Sequence, residues 1–196
     1  MSDSSRREVL RAMALSVLAG ALPLEAAQHV HGMAAAEKSA AGAYKPKAFT
    51  PHEFQTLRKL ADYIVPADEK SPGAVEAGAP DFIDLLASQN PELLAIYTGG
   101  MAWLDRYMEA RHGADFLSAK PEEQVAALDR IAYRRNDSAE TAPGIRFFDW
   151  ARKMVVDAFY TSPIGVKDLG YLGNGAMAKF EIPQEALEYA LKRSPA

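Results

Sequence analysis

Wherever apolar residues recur regularly in this 196-residue chain, they recur three and four positions apart, and the runs are bounded by proline, glycine or a capping side chain. No stretch alternates with period two for long enough to make a strand, so the chain is restricted to packing helices on helices. Thr50-Pro51-His52-Glu53 places an acceptor at the N-cap, proline at the first helical position and a carboxylate at the third, a capping box. Behind it Phe54, Leu57, Leu60, Ala61, Ile64 and Val65 form one apolar face that ends at Pro66. Asp81 to Ala87 predicts a short helix with Phe82, Leu85 and Leu86 inward. The longest helix starts at Asn90-Pro91-Glu92 and runs to near Gly113, with Leu94, Tyr97, Met101, Leu104 and Met108 as its stripe. Gly99-Gly100 inside it costs about 1 kcal/mol per residue against alanine, which predicts a close helix crossing there. A fourth helix opens at Pro121-Glu122-Glu123 with Val125, Leu128 and Ile131 inward, and Ile145 to Tyr160 is a fifth, apolar on much of its circumference. A closing helix spans about Pro183 to Lys192 with Ala186, Leu187 and Ala190 as its apolar positions. The expected fold class is all-α, one helical domain of five to six helices over residues 49–196.

The N-terminal segment follows a different logic. Arg6-Arg7 lies in Ser5-Arg6-Arg7-Glu8-Val9-Leu10-Arg11, directly ahead of the apolar run Ala12 to Leu24. A positive region, a short apolar region and then small residues make an export signal, and the arginine pair makes it one of the twin-arginine type, which carries folded cargo. The apolar run is thirteen residues, short of the roughly 20 that cross a hydrocarbon core. Cleavage suits the small residues Ala34-Ala35-Ala36, and Ala26 or Ala27 would also serve. Residues 1–36 are therefore read as export signal and processing region, and 37–48, polar and Ala-rich without a sustained period, as a mobile linker.

Composition narrows the chemistry. The apolar share is 48% and the charged share 24%, the balance of a globular protein. The net charge is -4, and the segment 1–36 carries three arginines against three carboxylates, so the remainder keeps that charge. No basic surplus points to nucleic acid. Cysteine is absent, which excludes disulfide staples, thiolate iron-sulfur ligation and covalent c-type haem. Gly173-Asn174-Gly175-Ala176-Met177-Ala178 fits a dinucleotide-loop wording but lacks the preceding strand and the following acidic residue. His29 and His31 have no partners at ligand spacing, and His52 and His112 sit at helix ends, so no metal site is expected. Asp68, Glu69, Glu76 and Asp81 could serve acid-base chemistry on a glycoside, or be solvated loop charges.

The segment Tyr160 to Gly175, YTSPIGVKDLGYLGNG, holds four glycines, a proline and two tyrosines. An ordered glycine-bent loop with aromatic and aliphatic side chains suits an interface, and equally a loop folded back on the fifth helix. Together with the aromatic cluster Phe147, Phe148, Trp150, Phe159 and Tyr160 it is the most distinctive part of the chain.

The block Pro66 to Asp84, PADEKSPGAVEAGAPDFID, and the block Phe147 to Asn174, FFDWARKMVVDAFYTSPIGVKDLGYLGN, resemble the gluconate 2-dehydrogenase subunit 3 family. The resemblance covers most of the chain from Phe49 onward. It implies a small subunit, without catalytic, cofactor or metal residues of its own, of a periplasmic oxidoreductase acting on the CH-OH groups of sugars or polyols. The large subunit would be a flavoprotein of the glucose-methanol-choline type holding FAD, often with a cytochrome c as electron acceptor and with membrane association through a partner. The small chain would engage the twin-arginine translocase through Arg6 and Arg7 on behalf of both subunits. The expected partner-binding residues are Tyr160, Thr161, Ser162, Pro163, Ile164, Asp168, Leu169 and Tyr171, supported by Arg146, Phe148 and Trp150. A stand-alone glycoside-active enzyme and a scaffold domain with no redox role are the competing expectations.

Overall fold

The computed structural model describes residues 24–170 and 182–193, and among them every regular element is helical. In chain order these are α1 (Leu24–Ala41), α2 (Pro51–Ile64), α3 (Ala79–Ala87), α4 (Pro91–His112), α5 (Pro121–Ile131), a 3₁₀ turn (Arg134–Asn136), α6 (Ala142–Thr161), α7 (Pro163–Asp168) and α8 (Gln184–Arg193). The all-α expectation holds. Arg6, Arg7, Tyr171 and the Gly173 to Ala178 run lie outside the described residues.

The shortest of the expected helices is the centre of the fold. All nine residues of α3 are buried, and α1, α2, α4 and α6 pack around it. Phe82, Ile83, Leu85 and Leu86 cover most of one and a half turns and the buried carboxyl of Asp84 takes the remaining side, so the helix has no solvent face. Each such burial is worth roughly 1.5 to 3 kcal/mol. α2 is held as its sequence predicts: Thr50 Oγ1 accepts from the Glu53 amide at 3.3 Å, and Glu53 Oε2 accepts from the Thr50 amide at 2.8 Å. At the α4–α6 crossing Gly100 lies directly on Phe147. A Cβ at position 100 would meet the ring at 2.1 Å, whereas one at Gly99 would meet nothing within 4 Å. The predicted crossing therefore depends on one of the two glycines.

Among the described residues, Asp84 is a core acid with a full set of partners. Its Oδ2 accepts from the Tyr44 hydroxyl (2.8 Å) and the Lys47 amide (2.7 Å), and its Oδ1 from the amides of Ala48 (3.0 Å) and Phe49 (3.1 Å). Residues 44–49 are thereby tied across α3, which corrects the reading of 37–48 as a mobile linker. Its first part, to Ala41, completes α1, and its last part is a strap bonded to a buried carboxyl. Lys47 also pairs with Glu37, joining strap to helix.

Three further expectations are corrected. α1 is a packed helix, its Ala27, Val30, His31 and Ala34 buried against α3 and α6. Alanine's high helix propensity forms it, and small side chains let it lie close. In α5, Val125 is 42% exposed and Gln124 faces inward instead. The Gln124 amide donates to the carbonyls of Phe116 (2.6 Å) and Ala119 (3.2 Å) and accepts from the Tyr63 hydroxyl (2.7 Å), so the helix rotates a polar residue into the core. In α4 the first inward residue is Leu93, with Leu94 only half-buried.

Candidate docking site

The expected glycine-bent loop after Tyr160 is instead helical through residue 168. α6 continues to Thr161, and Ser162 starts α7, its hydroxyl accepting from the Gly165 amide at 3.0 Å and donating to the Phe159 carbonyl at 2.6 Å. Gly165 is required because a Cβ there would strike the Phe159 carbonyl oxygen at 2.1 Å. α7 is thus folded hard against the end of α6, the folded-back alternative at the level of the backbone.

This folding sorts the sequence-predicted partner residues. Ser162 is buried and caps α7, and Phe148 is buried in the core. Neither faces out. Thr161 and Ile164 are half-buried, Thr161 donating to the Asp157 carbonyl at 2.7 Å. Arg146, Tyr160, Pro163, Asp168 and Leu169 are exposed, Leu169 at 61%, and Trp150 is half-buried.

Five exposed or half-buried residues of α6 fall on one line. Arg146, Trp150, Lys153, Asp157 and Tyr160 are spaced four, three, four and three, so they form a single stripe along the helix. Lys153 Nζ lies 5.7 Å from the centre of the Trp150 ring, a cation–π distance. Burial raises the Asp157 carboxyl above its ordinary range, against the opposing pull of Lys153. At the Arg146 end the stripe borders a groove of about 290 Å³ between α4 and α6, walled by Ile96, Trp103, Arg146 and Trp150 and floored by Gly99 and Gly100. Both tryptophans of the chain line it. Sequence reasoning found Arg146 and Trp150 but missed Ile96 and Trp103. The signal was present, since both fall on the face of Gly99 at helical spacing.

A second cleft, of about 510 Å³, opens between α1, the turn before α3 and α7, with His31, Lys38, Glu76, Asp81, Pro163 and Ile164 on its walls. His31 and His29 do not act together, because His31 is buried and His29 exposed. The His31 ring lies 4.6 Å from that of Phe82, and its Nε2 is 3.2 Å from Thr161 Oγ1. Burial pushes His31 down to about 4, a hydrogen bond to the Ala158 carbonyl partly opposing it. Between the unfolded value near 6.5 and about 4 the unfolded chain holds a proton that the folded chain does not. Stability is therefore full above pH 6.5 and falls toward pH 4, by at most about 3 kcal/mol from this residue. Thermal unfolding across that range should show the fall, and His31→Gln should remove part of it; identical profiles for the two proteins would contradict the buried neutral imidazole.

The acidic loop is occupied with its own geometry. Asp68 is exposed and accepts from the amides of Lys70 (2.7 Å) and Ser71 (2.8 Å), bonds that hold its carboxyl below the usual range. A general acid needs the opposite shift. Among the described residues, no three His, Asp or Glu side chains converge as metal ligands, and no helix is long and apolar enough to cross a membrane.

A family model described as gluconate 2-dehydrogenase subunit 3 matches residues 51–177. This span runs from the first residue of α2 through the α4–α6 groove and past α7. No curated protein and no solved structure matches the chain.

Proposed function

Since the chain belongs to the gluconate 2-dehydrogenase subunit 3 family, we propose that it is the non-catalytic small subunit of a periplasmic, FAD-dependent sugar or polyol dehydrogenase. Its large partner, a flavoprotein of the glucose-methanol-choline type, binds the FAD and performs the oxidation, and a cytochrome c accepts the electrons. The small chain supports the fold of that partner and carries it through the twin-arginine translocase on Arg6-Arg7. The observation that carries this reading is the groove between α4 and α6, where two tryptophans and an arginine surround open space above Gly99. Tryptophan and arginine are the residue types that dominate binding hot spots. The stripe from Arg146 to Tyr160 continues that face toward Leu169, so the large subunit seats along α6. An apolar anchor flanked by carboxylates would fit the groove and meet Arg146 and Lys153.

The export part of the proposal has its own test. Changing Arg6 and Arg7 together to lysine should leave both subunits in the cytoplasm, where fractionation would find the flavoprotein and its dehydrogenase activity. Unchanged export of the flavoprotein in that variant would sink the escort role.

A further inference from the structure

Two places in the chain suit a leader peptidase, Ala26-Ala27 and Ala34-Ala35-Ala36, and the fold treats them differently. The first precedes the buried side chains of Val30, His31 and Ala34, on which the helix is seated. The second lies in the body of that helix. Resting on the export reading above, we infer that α1 is a permanent helix of the working protein: hydrolysis of the leader, where it takes place, falls at or before the Ala27–Gln28 bond and spares Ala34-Ala35-Ala36.

The packing of α1 carries this. Val30 is fully buried, and His31 and Ala34 nearly so, on the surface of α3 and α6. His31 lies against Phe82 and bonds Thr161 at the end of α6, 130 residues away in the chain. The far end of α1 is fastened as well, through the Glu37–Lys47 pair to the strap that Asp84 holds. A peptidase binds its substrate extended, so water can be added across a peptide bond in 34–36 only after this part of α1 is lifted from its seat and unwound. That opening costs a share of the domain's stability and is rarely populated. A twin-arginine substrate also crosses folded, so α1 is already seated when the peptidase meets it. A cut after Ala36 would leave only residues 37–41 of the helix, too few to stay helical alone. It would also expose the seat of Val30, His31 and Ala34. Among the described residues, a cut after Ala27 removes one buried side chain, that of Ala27 itself.

The test uses the full-length gene expressed with its partner in an exporting cell. Intact mass and N-terminal sequencing of the exported chain should give a first residue at or before Gln28. Deuterium exchange on the same full chain should show amides 30–38 exchanging at least about 100-fold more slowly than in an unstructured peptide, as an opening free energy of a few kcal/mol requires. An exported chain that begins at Ala35 or later overturns the inference and leaves the export reading intact. A chain found only in the cytoplasm with Met1 in place overturns the export reading, and the exchange of amides 30–38 then decides alone: protection supports the permanent helix, and exchange at peptide rates overturns it.

Discussion

Asp84→Ala should lower the thermal midpoint by about 10 °C, the largest single-residue effect expected away from the helix crossings. The substitution deletes an acceptor for four donors, the Tyr44 hydroxyl and the amides of Lys47, Ala48 and Phe49, on a helix with no solvent face. Removing one side of such a buried network costs about 3 to 5 kcal/mol. For a chain of this size each kcal/mol is worth roughly 2 to 4 °C. Asp84→Asn keeps one acceptor oxygen but turns an amide toward donors, so it should fall between wild type and alanine. Asp81 on the same helix is the control. Burial raises its carboxyl above the ordinary range because it penalises the charged form, so Asp81→Asn relieves that penalty and should change the midpoint little. Equal midpoints for Asp84→Ala and Asp81→Asn would show that the strap is not held as described.

Gly99 and Gly100 should respond to substitution in opposite ways. Gly100→Ala forces a methyl into Phe147, with ring atoms at 2.1 and 2.2 Å and Cβ at 2.7 Å. The α4–α6 crossing has to open, an overpacking cost of about 1 to 3 kcal/mol that exceeds the gain in helix propensity at its upper end. Its thermal midpoint should fall, by about 8 °C at most. In Gly99→Leu the added Cβ meets nothing within 4 Å and the helix gains about 1 kcal/mol of propensity, so its midpoint should hold or rise. The leucine, however, fills the groove between Ile96, Trp103 and Trp150. Binding of the large subunit should then weaken by at least about 30-fold, the equivalent of 2 kcal/mol at a hot spot. Trp150→Ala should weaken binding similarly, since its half-buried ring contributes less to the fold than to the groove. Calorimetry for stability and titration against the large subunit for affinity separate the two effects. A Gly99→Leu protein that binds as wild type does would move the docking face elsewhere on α6 or α7.

How far the sequence reveals this molecule differs from element to element. The start of α2 was legible because a capping box is a local device, complete within four residues. The α4 stripe was legible because Tyr97, Met101, Leu104 and Met108 keep the helical period. α1 was hidden because alanine carries little amphipathic signal and because the same residues read as a processing region. α7 was hidden by Pro163 and Gly165, which look like loop residues but serve as its first position and as clearance for the Phe159 carbonyl. Gln124 displaced Val125 from the core because three hydrogen bonds, two to the preceding loop and one to Tyr63 on α2, outweigh one branched side chain, and apolar periodicity does not register such partners. The groove proposed for docking was half visible. Arg146 and Trp150 stood out beside the family-like block, but Ile96 and Trp103 come from a helix some fifty residues earlier, and only the crossing at Gly100 brings the two walls together.

Affinity purification of the tagged chain from the exported fraction, with flavin absorbance read against protein, tests the central claim most directly. Wild type should bring one flavin-bearing large subunit per chain, and Gly99→Leu should elute folded and colourless. A wild-type chain that elutes without flavin, from cells in which the dehydrogenase is exported and active, would contradict the assignment of this protein as its docking and export subunit.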